Sequence, residues 1–138
     1  MEPLHYLLMK AHANLNRQIL AQAAAIGLSP GQPKVLECLM HHGEWNQKAI
    51  ATYCEIEPAT VGSILLRMER DGLIRRTQRD GNRRSLYVSL TPLGLEQGQK
   101  MEEIFRQADL RAASQLTLAE QQTLCSLLTS VCAFVAQP

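Results

Sequence analysis

Seven arginines fall within eighteen residues of this sequence: Arg67, Arg70, Arg75, Arg76, Arg79, Arg83 and Arg84. The same stretch sets only Glu69, Asp71 and Asp80 against them. It holds half of the fourteen basic side chains of a 138-residue chain whose net charge is +1. Every base in it is arginine, whose planar fork of donors suits phosphates and base edges better than the point charge of a lysine. A cationic patch in an otherwise balanced chain is the electrostatic footprint of a polyanion such as DNA. Upstream, Thr60 and Ser63 precede Arg67 and Arg70 at spacings that put all four on one side of a helix. Short hydroxyls near a helix start reach phosphates or base edges, and Arg67 is long enough to bond a guanine in two places, worth roughly 1–3 kcal/mol of discrimination.

Other chemistries are poorly served. The four cysteines, Cys38, Cys54, Cys125 and Cys132, form no C-x-x-C pair. The four histidines, His5, His12, His41 and His42, form no H-x-x-x-H pair, so neither a metal site nor a cofactor is expected. Cys38, Cys125 and Cys132 stand among apolar residues at helical spacing and are expected to be small buried hydrophobes. No nucleophile–base pair or phosphate loop points to an enzyme. With 4% aromatic residues, a stacking platform for single-stranded nucleic acid is not expected. At 46% apolar and 20% charged the chain should fold. No apolar run approaches the ~18 residues of a membrane span, and Met1-Glu2-Pro3-Leu4 does not open like a signal peptide. A cytoplasmic protein with no membrane partner is expected.

The elements that must position the arginines are well punctuated. Leu4, Leu8, Ala11, Leu15, Ile19, Ala23 and Ile26 keep the helical period, so the spacing predicts a helix over 4–26 that stops at Gly27-Leu28. Ser29-Pro30-Gly31-Gln32 reads as a helix start, with Ser29 as cap, Pro30 in the first position and Gln32 reaching back. The helix it opens runs to about His42. Asn46 caps a third helix, Gln47 to Cys54, and Pro58 opens a fourth that ends at Asp71. Val61, Ile64, Leu65 and Met68 form its inward face. The period then changes: Leu73–Thr77 and Ser85–Leu90 read as strands, and Arg79-Asp80-Gly81-Asn82 as the turn between them. Thr91-Pro92 opens a fifth helix over 92–115, and Thr117-Leu118-Ala119-Glu120 is a capping box for a sixth. The predicted fold is mainly α with a β-hairpin wing.

Residues 47–71 fit a helix-turn-helix whose second helix can enter a major groove, and the hairpin behind it makes a winged helix-turn-helix. At the wing tip Arg83 or Arg84 is expected to enter a narrow minor groove, with Asn82 as its buttress. Arg75, Arg76 and Arg79 are placed for phosphates. The sixth helix carries a broad stripe, Leu124, Leu127, Leu128, Val131, Phe134 and Val135, and the first and fifth helices carry stripes of their own. A chain this small cannot cover three such faces internally. Leu4, Leu8, Leu124, Leu128, Val131 and Val135 are therefore expected to pack against a second copy, setting two reading heads ~34–36 Å apart.

These residues resemble the MarR-type (multiple antibiotic resistance regulator) transcription factors over nearly the whole chain, most densely from Leu28 to Gly94. Leu28-Ser29-Pro30-Gly31-Gln32 is similar to the family's opening pattern. Gln47-Lys48-Ala49-Ile50-Ala51 and Pro58-Ala59-Thr60-Val61 are similar to its helix-turn-helix. Met68–Arg76, Asp80–Arg84 and Val88–Gly94 are similar to its helix end, wing tip and wing exit. The resemblance implies one domain, in which a DNA-binding lobe over 28–90 sits between dimerisation helices at 1–27 and 91–138. It implies a homodimer on a palindromic double-stranded operator, acting as a repressor relieved by a small phenolic or lipophilic effector. It makes Arg84 the minor-groove arginine and Arg76 a backbone contact. Tyr6, Met9, His12, Cys38 and Trp45 are the residues expected to line an effector pocket. The sequence departs from the family at Asn82, where Asp is common, and at Glu57 and Ser63, where Ser and Arg are common. The alternative is a winged-helix assembly module whose arginines meet an acidic protein. Under the DNA-binding reading, Arg84→Ala should weaken operator binding and flatten the A·T preference flanking each half-site; an unchanged footprint would remove the wing from the interface.

Overall fold

The computed structural model describes residues 1–79 and 86–136. In chain order the elements are α1 (Leu4–Ala25), α2 (Gln32–His42), β1 (Trp45–Asn46), α3 (Gln47–Cys54), α4 (Pro58–Arg70), β2 (Ile74–Gln78), β3 (Leu86–Leu90), α5 (Pro92–Ala112) and α6 (Leu118–Val135). The expected order of helices and hairpin is present, with one addition. β1 pairs antiparallel with β3, Trp45 opposite Val88, and makes a three-stranded sheet in the order β1-β3-β2. Two residues cannot show an alternating pattern, so β1 has no signature of its own; the open edge of β3 creates it.

Punctuation residues act largely as their chemistry requires. Gly27 and Gly72 take φ of 85° and 79°, and the amides of Leu28 and Leu73 return to the carbonyls of Ala23 and Met68 at 3.0 and 2.9 Å. Both leucine side chains are then delivered into the core. The Asn46 side chain accepts the Ala49 N–H at 2.8 Å. Both arms of the Thr117/Glu120 capping box close, at 3.1 and 2.9 Å. The start of α2 differs from expectation. Ser29-Pro30-Gly31-Gln32 is a turn, closed by the Gln32 N–H on the Ser29 carbonyl at 3.1 Å, with Gly31 at φ 90°. Pro followed by a positive-φ Gly is type II turn chemistry, and it delays the helix to Gln32. The Gln32 side chain still reaches back and accepts the Ser29 N–H at 3.0 Å.

The core gathers Val35, Leu36, Cys38 and Leu39 of α2, Ile50 and Cys54 of α3, Val61, Leu65 and Met68 of α4, Ile74 and Val88 of the sheet, and Met101 of α5. Cys38 is buried as expected and Cys54 joins it, whereas Cys125 and Cys132 are exposed. They follow α6, in which no residue is buried; α1 buries only Ala23. No described helix is long and apolar enough to cross a membrane.

α5 is locked onto the wing base. The Thr91 hydroxyl donates to the Gly72 carbonyl at 2.6 Å and accepts the Gly94 N–H at 3.0 Å. Gly94 lies so close to the Leu73 carbonyl oxygen that a side-chain carbon there would overlap it. Gly94→Ala should therefore cost about 2–3 kcal/mol in urea unfolding, because backbone rather than a side chain must move. Gly62→Ala should stabilise by up to about 1 kcal/mol, since its methyl would meet only the Gln47 side chain at 3.5 Å in a helix interior.

Candidate nucleic-acid interface

α3 ends where Glu55 takes a left-handed φ of 55°, and the Ile56 N–H returns to the Ala51 carbonyl at 3.1 Å. Pro58 then opens α4, which buries Val61, Leu65 and Met68 and half-buries Ile64. With that face turned inward, Thr60, Ser63, Arg67 and Arg70 are all exposed, as their spacing predicts. The Ser63 hydroxyl bonds back to the Ala59 carbonyl at 3.3 Å. Arg70 approaches Asp71 only to 4.0 Å with its side chain 72% exposed, a pair too solvated to hold it.

One residue of this face escaped the sequence reading. Leu66 is 59% exposed, on the solvent side of α4 with Ser63 three residues before it and Arg70 four after. A helical wheel finds it once Val61, Leu65 and Met68 are assigned inward, but a search for basic and hydroxyl side chains passes over a leucine.

The strand arginines divide. Arg76 Nη2 lies 3.1 Å from Glu69 Oε1, and its side chain is only 18% exposed. This pair ties β2 to the last turn of α4, and the hydrogen bond from Arg76 holds the Glu69 carboxyl below its ordinary pKa. Arg79 is ion-paired with Glu44, and its guanidinium sits 4.4 Å above the centre of the Tyr87 ring. Arg76 and Arg79, expected to face phosphates, are thus committed to protein partners, while Arg75 is exposed and carries no ion pair among the described residues. Asn82, Arg83 and Arg84 lie outside the described residues.

A cleft of about 460 Å³ opens behind α4. Its walls include His12, Leu15 and Ile19 of α1, Lys34 and Glu37 of α2, Thr60 and Ile64 of α4, and Phe105 of α5. Burial pushes the Glu37 carboxyl up, opposed by the nearby His41. Of the five residues expected to line an effector pocket, only His12 lines this cleft. Tyr6 and Met9 lie one to two turns nearer the N-terminus and are exposed. Cys38 faces the core with Val35 and Leu39. Trp45 stacks on His42 at 4.2 Å between ring centres, with Tyr53 edge-on to His42 at 4.9 Å. The spacing along α1 was readable, but which turn meets the lobe depends on how α1 crosses it. Among the described residues no three His, Cys, Asp or Glu side chains are grouped to hold a metal.

The MarR family model matches residues 28–86. The chain is 28% identical over 126 residues to the HTH-type transcriptional repressor IacR of Pseudomonas putida, covering 91% of this chain and 75% of that one. Across the curated relatives, the share of their length that the chain spans runs from 44% to 81%. Among solved structures it is similar to the Mycobacterium tuberculosis MarR family protein Rv2887 in complex with salicylic acid. That likeness has a TM-score of 0.74 at 25% identity and covers 95% of this chain and 97% of that one. The fold also matches a variant of Escherichia coli MarR bound to operator DNA, with a TM-score of 0.83 at 19% identity over 94% of this chain and 93% of that one.

Glu69→Gln tests the strut between α4 and β2. A carboxyl held below its ordinary pKa stabilises the fold above the usual carboxylate range and loses that contribution as pH falls through the lowered value. The substituted protein should be less stable near neutrality by no more than about 0.5–1 kcal/mol, since the pair is partly exposed. Its unfolding curve should converge on that of the parent protein in acid; parallel pH profiles would show that the pair contributes nothing.

Proposed function

We propose that the chain is a MarR-type sequence-specific transcriptional regulator, a homodimer that represses by binding a palindromic double-stranded operator until a small effector releases it. The observation that carries this reading is the outer face of α4, where Thr60, Ser63, Arg67 and Arg70 are all exposed. A helix presented on a packed core, with hydroxyls and guanidinium forks outward, suits a major groove. Arg83 and Arg84 at the wing tip would supply the minor-groove contact. The lobe over 28–90 would do the reading, and 1–27 with 91–138 would join two copies.

Dimerisation is supported by α6. It buries no residue, although Leu124, Leu127, Phe134 and Val135 are all exposed, Phe134 by 79%. Together with Leu4 and Leu8 of α1 and the half-buried Leu128 and Val131, they offer an apolar face to a second copy. Covering such a face contributes about 25 cal/mol for each Å² removed from water.

Effector control is supported by the cleft, two of whose walls, Thr60 and Ile64, belong to α4. A ligand bound there touches the DNA-reading helix directly, and it shifts the equilibrium if it fits the non-binding arrangement better. Apolar walls with His12 and Lys34 among the lining residues suit a small aromatic ring bearing an acidic or phenolic group. The salicylic acid complex of the Mycobacterium tuberculosis relative is in keeping with that chemistry.

Gel shifts on duplexes selected from random DNA, run in rising salt, test the reading. A dimer making six or more phosphate contacts should lose about a thousandfold or more in affinity between roughly 50 and 200 mM salt. Leu128→Glu should sediment as a monomer and lose the shift. Absence of any shift at low salt would overturn the DNA-binding assignment, and an intact Leu128→Glu dimer would take α6 out of the interface.

A further inference from the structure

We propose that Leu66 reads the C5-methyl group of a thymine in the major groove, an assignment that rests on α4 being the DNA-reading helix. Leu66 belongs neither to the core nor to the hydrophobics packed against it. The inward face of α4 is already filled by Val61, Leu65 and Met68, each fully buried, while Leu66 stands 59% exposed. It sits on the solvent face with Ser63 one turn before it and Arg70 one turn after, so a hydroxyl, an isobutyl group and a guanidinium follow one another along the helix. The residues flanking this line on the N-terminal side, Ala59 and Gly62, are small. Nothing but the Gln47 side chain lies within 4 Å of a carbon built on Gly62.

The chemistry of the neighbours selects the partner. Arg67 and Arg70 on the same helix set positive charge on either side of Leu66, which favours a polyanion over an apolar protein surface. Leucine can bond neither a phosphate nor a polar base edge. In the major groove the donor and acceptor pattern is interrupted by one apolar group, the thymine methyl. A large aliphatic side chain at the centre of a polar reading face is thus matched to thymine alone. Leu66 supplies specificity for an A·T pair at one position of each half-site, and Ser63 and Arg70 address its neighbours.

The test uses the full chain and a duplex selected from random DNA. Each thymine is replaced in turn by deoxyuridine, which removes the methyl group and leaves every hydrogen-bonding edge intact. The natural protein should lose about fourfold in affinity at one thymine per half-site, the worth of one buried methyl. Leu66→Ala should bind the parent duplex more weakly and be indifferent to deoxyuridine at that same position. Because Leu66 lies outside the core, Leu66→Ala should unfold at the same temperature as the natural protein, so a lost effect is read at the DNA. If the protein binds the selected duplex but every replacement is neutral, or Leu66→Ala remains as sensitive as the natural protein, the assignment of Leu66 is overturned while DNA binding stands. If no duplex is bound at all, both fall.

Discussion

Leu73 joins three elements through its own backbone. Its amide closes α4 on the Met68 carbonyl at 2.9 Å, and its carbonyl accepts the Thr91 N–H at 3.1 Å and lies against Gly94. The chain then runs directly into β2, while the side chain enters the core. The exit of α4, the base of the wing and the start of α5 therefore meet at one residue. A displacement of any one of them strains the others, because backbone carbonyls cannot swing aside as side chains can. This junction sets the angle between α4 and the hairpin, on which any simultaneous approach to two grooves depends.

Around that junction the arginine cluster performs two different jobs. Arg76 faces Glu69 across 3.1 Å and braces β2 against α4. Arg79 pairs with Glu44 and covers the Tyr87 ring, bracing the sheet against the loop after α2. Arg67, Arg70 and Arg75 remain in solvent. The acids that lower the net charge of the chain thus also help to orient its positive surface. Removing a bracing arginine would disturb geometry as well as charge, whereas removing an outward one would disturb charge alone.

The cleft runs along the edge of α4 that carries Thr60 and Ile64. The same helix that turns Ser63, Leu66 and Arg70 outward lends Thr60 and Ile64 to the cleft wall. Its two long faces are about as far apart as one helix diameter, so a ligand on one side needs no relay to affect the other. α1 contributes to that cleft from one end while leaving Leu4 and Leu8 exposed at the other. A second copy seated on α1 and α6 would bear on the cleft as well, which is how dimer geometry, ligand and reading helix can be coupled.

Local chemistry was legible from the sequence because its causes are local. Gly72-Leu73, Asn46 and the Thr117/Glu120 pair act within five residues of themselves, so helix ends followed from residue type alone. The outward placement of Thr60, Ser63, Arg67 and Arg70 followed from periodicity in the same way. Where two local signals competed, as in Ser29-Pro30-Gly31-Gln32, the turn chemistry of Pro-Gly overrode the capping reading. Decisions between distant residues belonged to the tertiary structure. It formed β1 on the edge of β3, drew Arg76 to Glu69 and Arg79 to Glu44, and brought His12 but not Tyr6 or Met9 to the cleft. It also left Cys125 and Cys132 outside while burying Cys54. A linear pattern specifies which face of an element is apolar, but the partner that covers it, and the charges that meet across it, are set only when the elements pack.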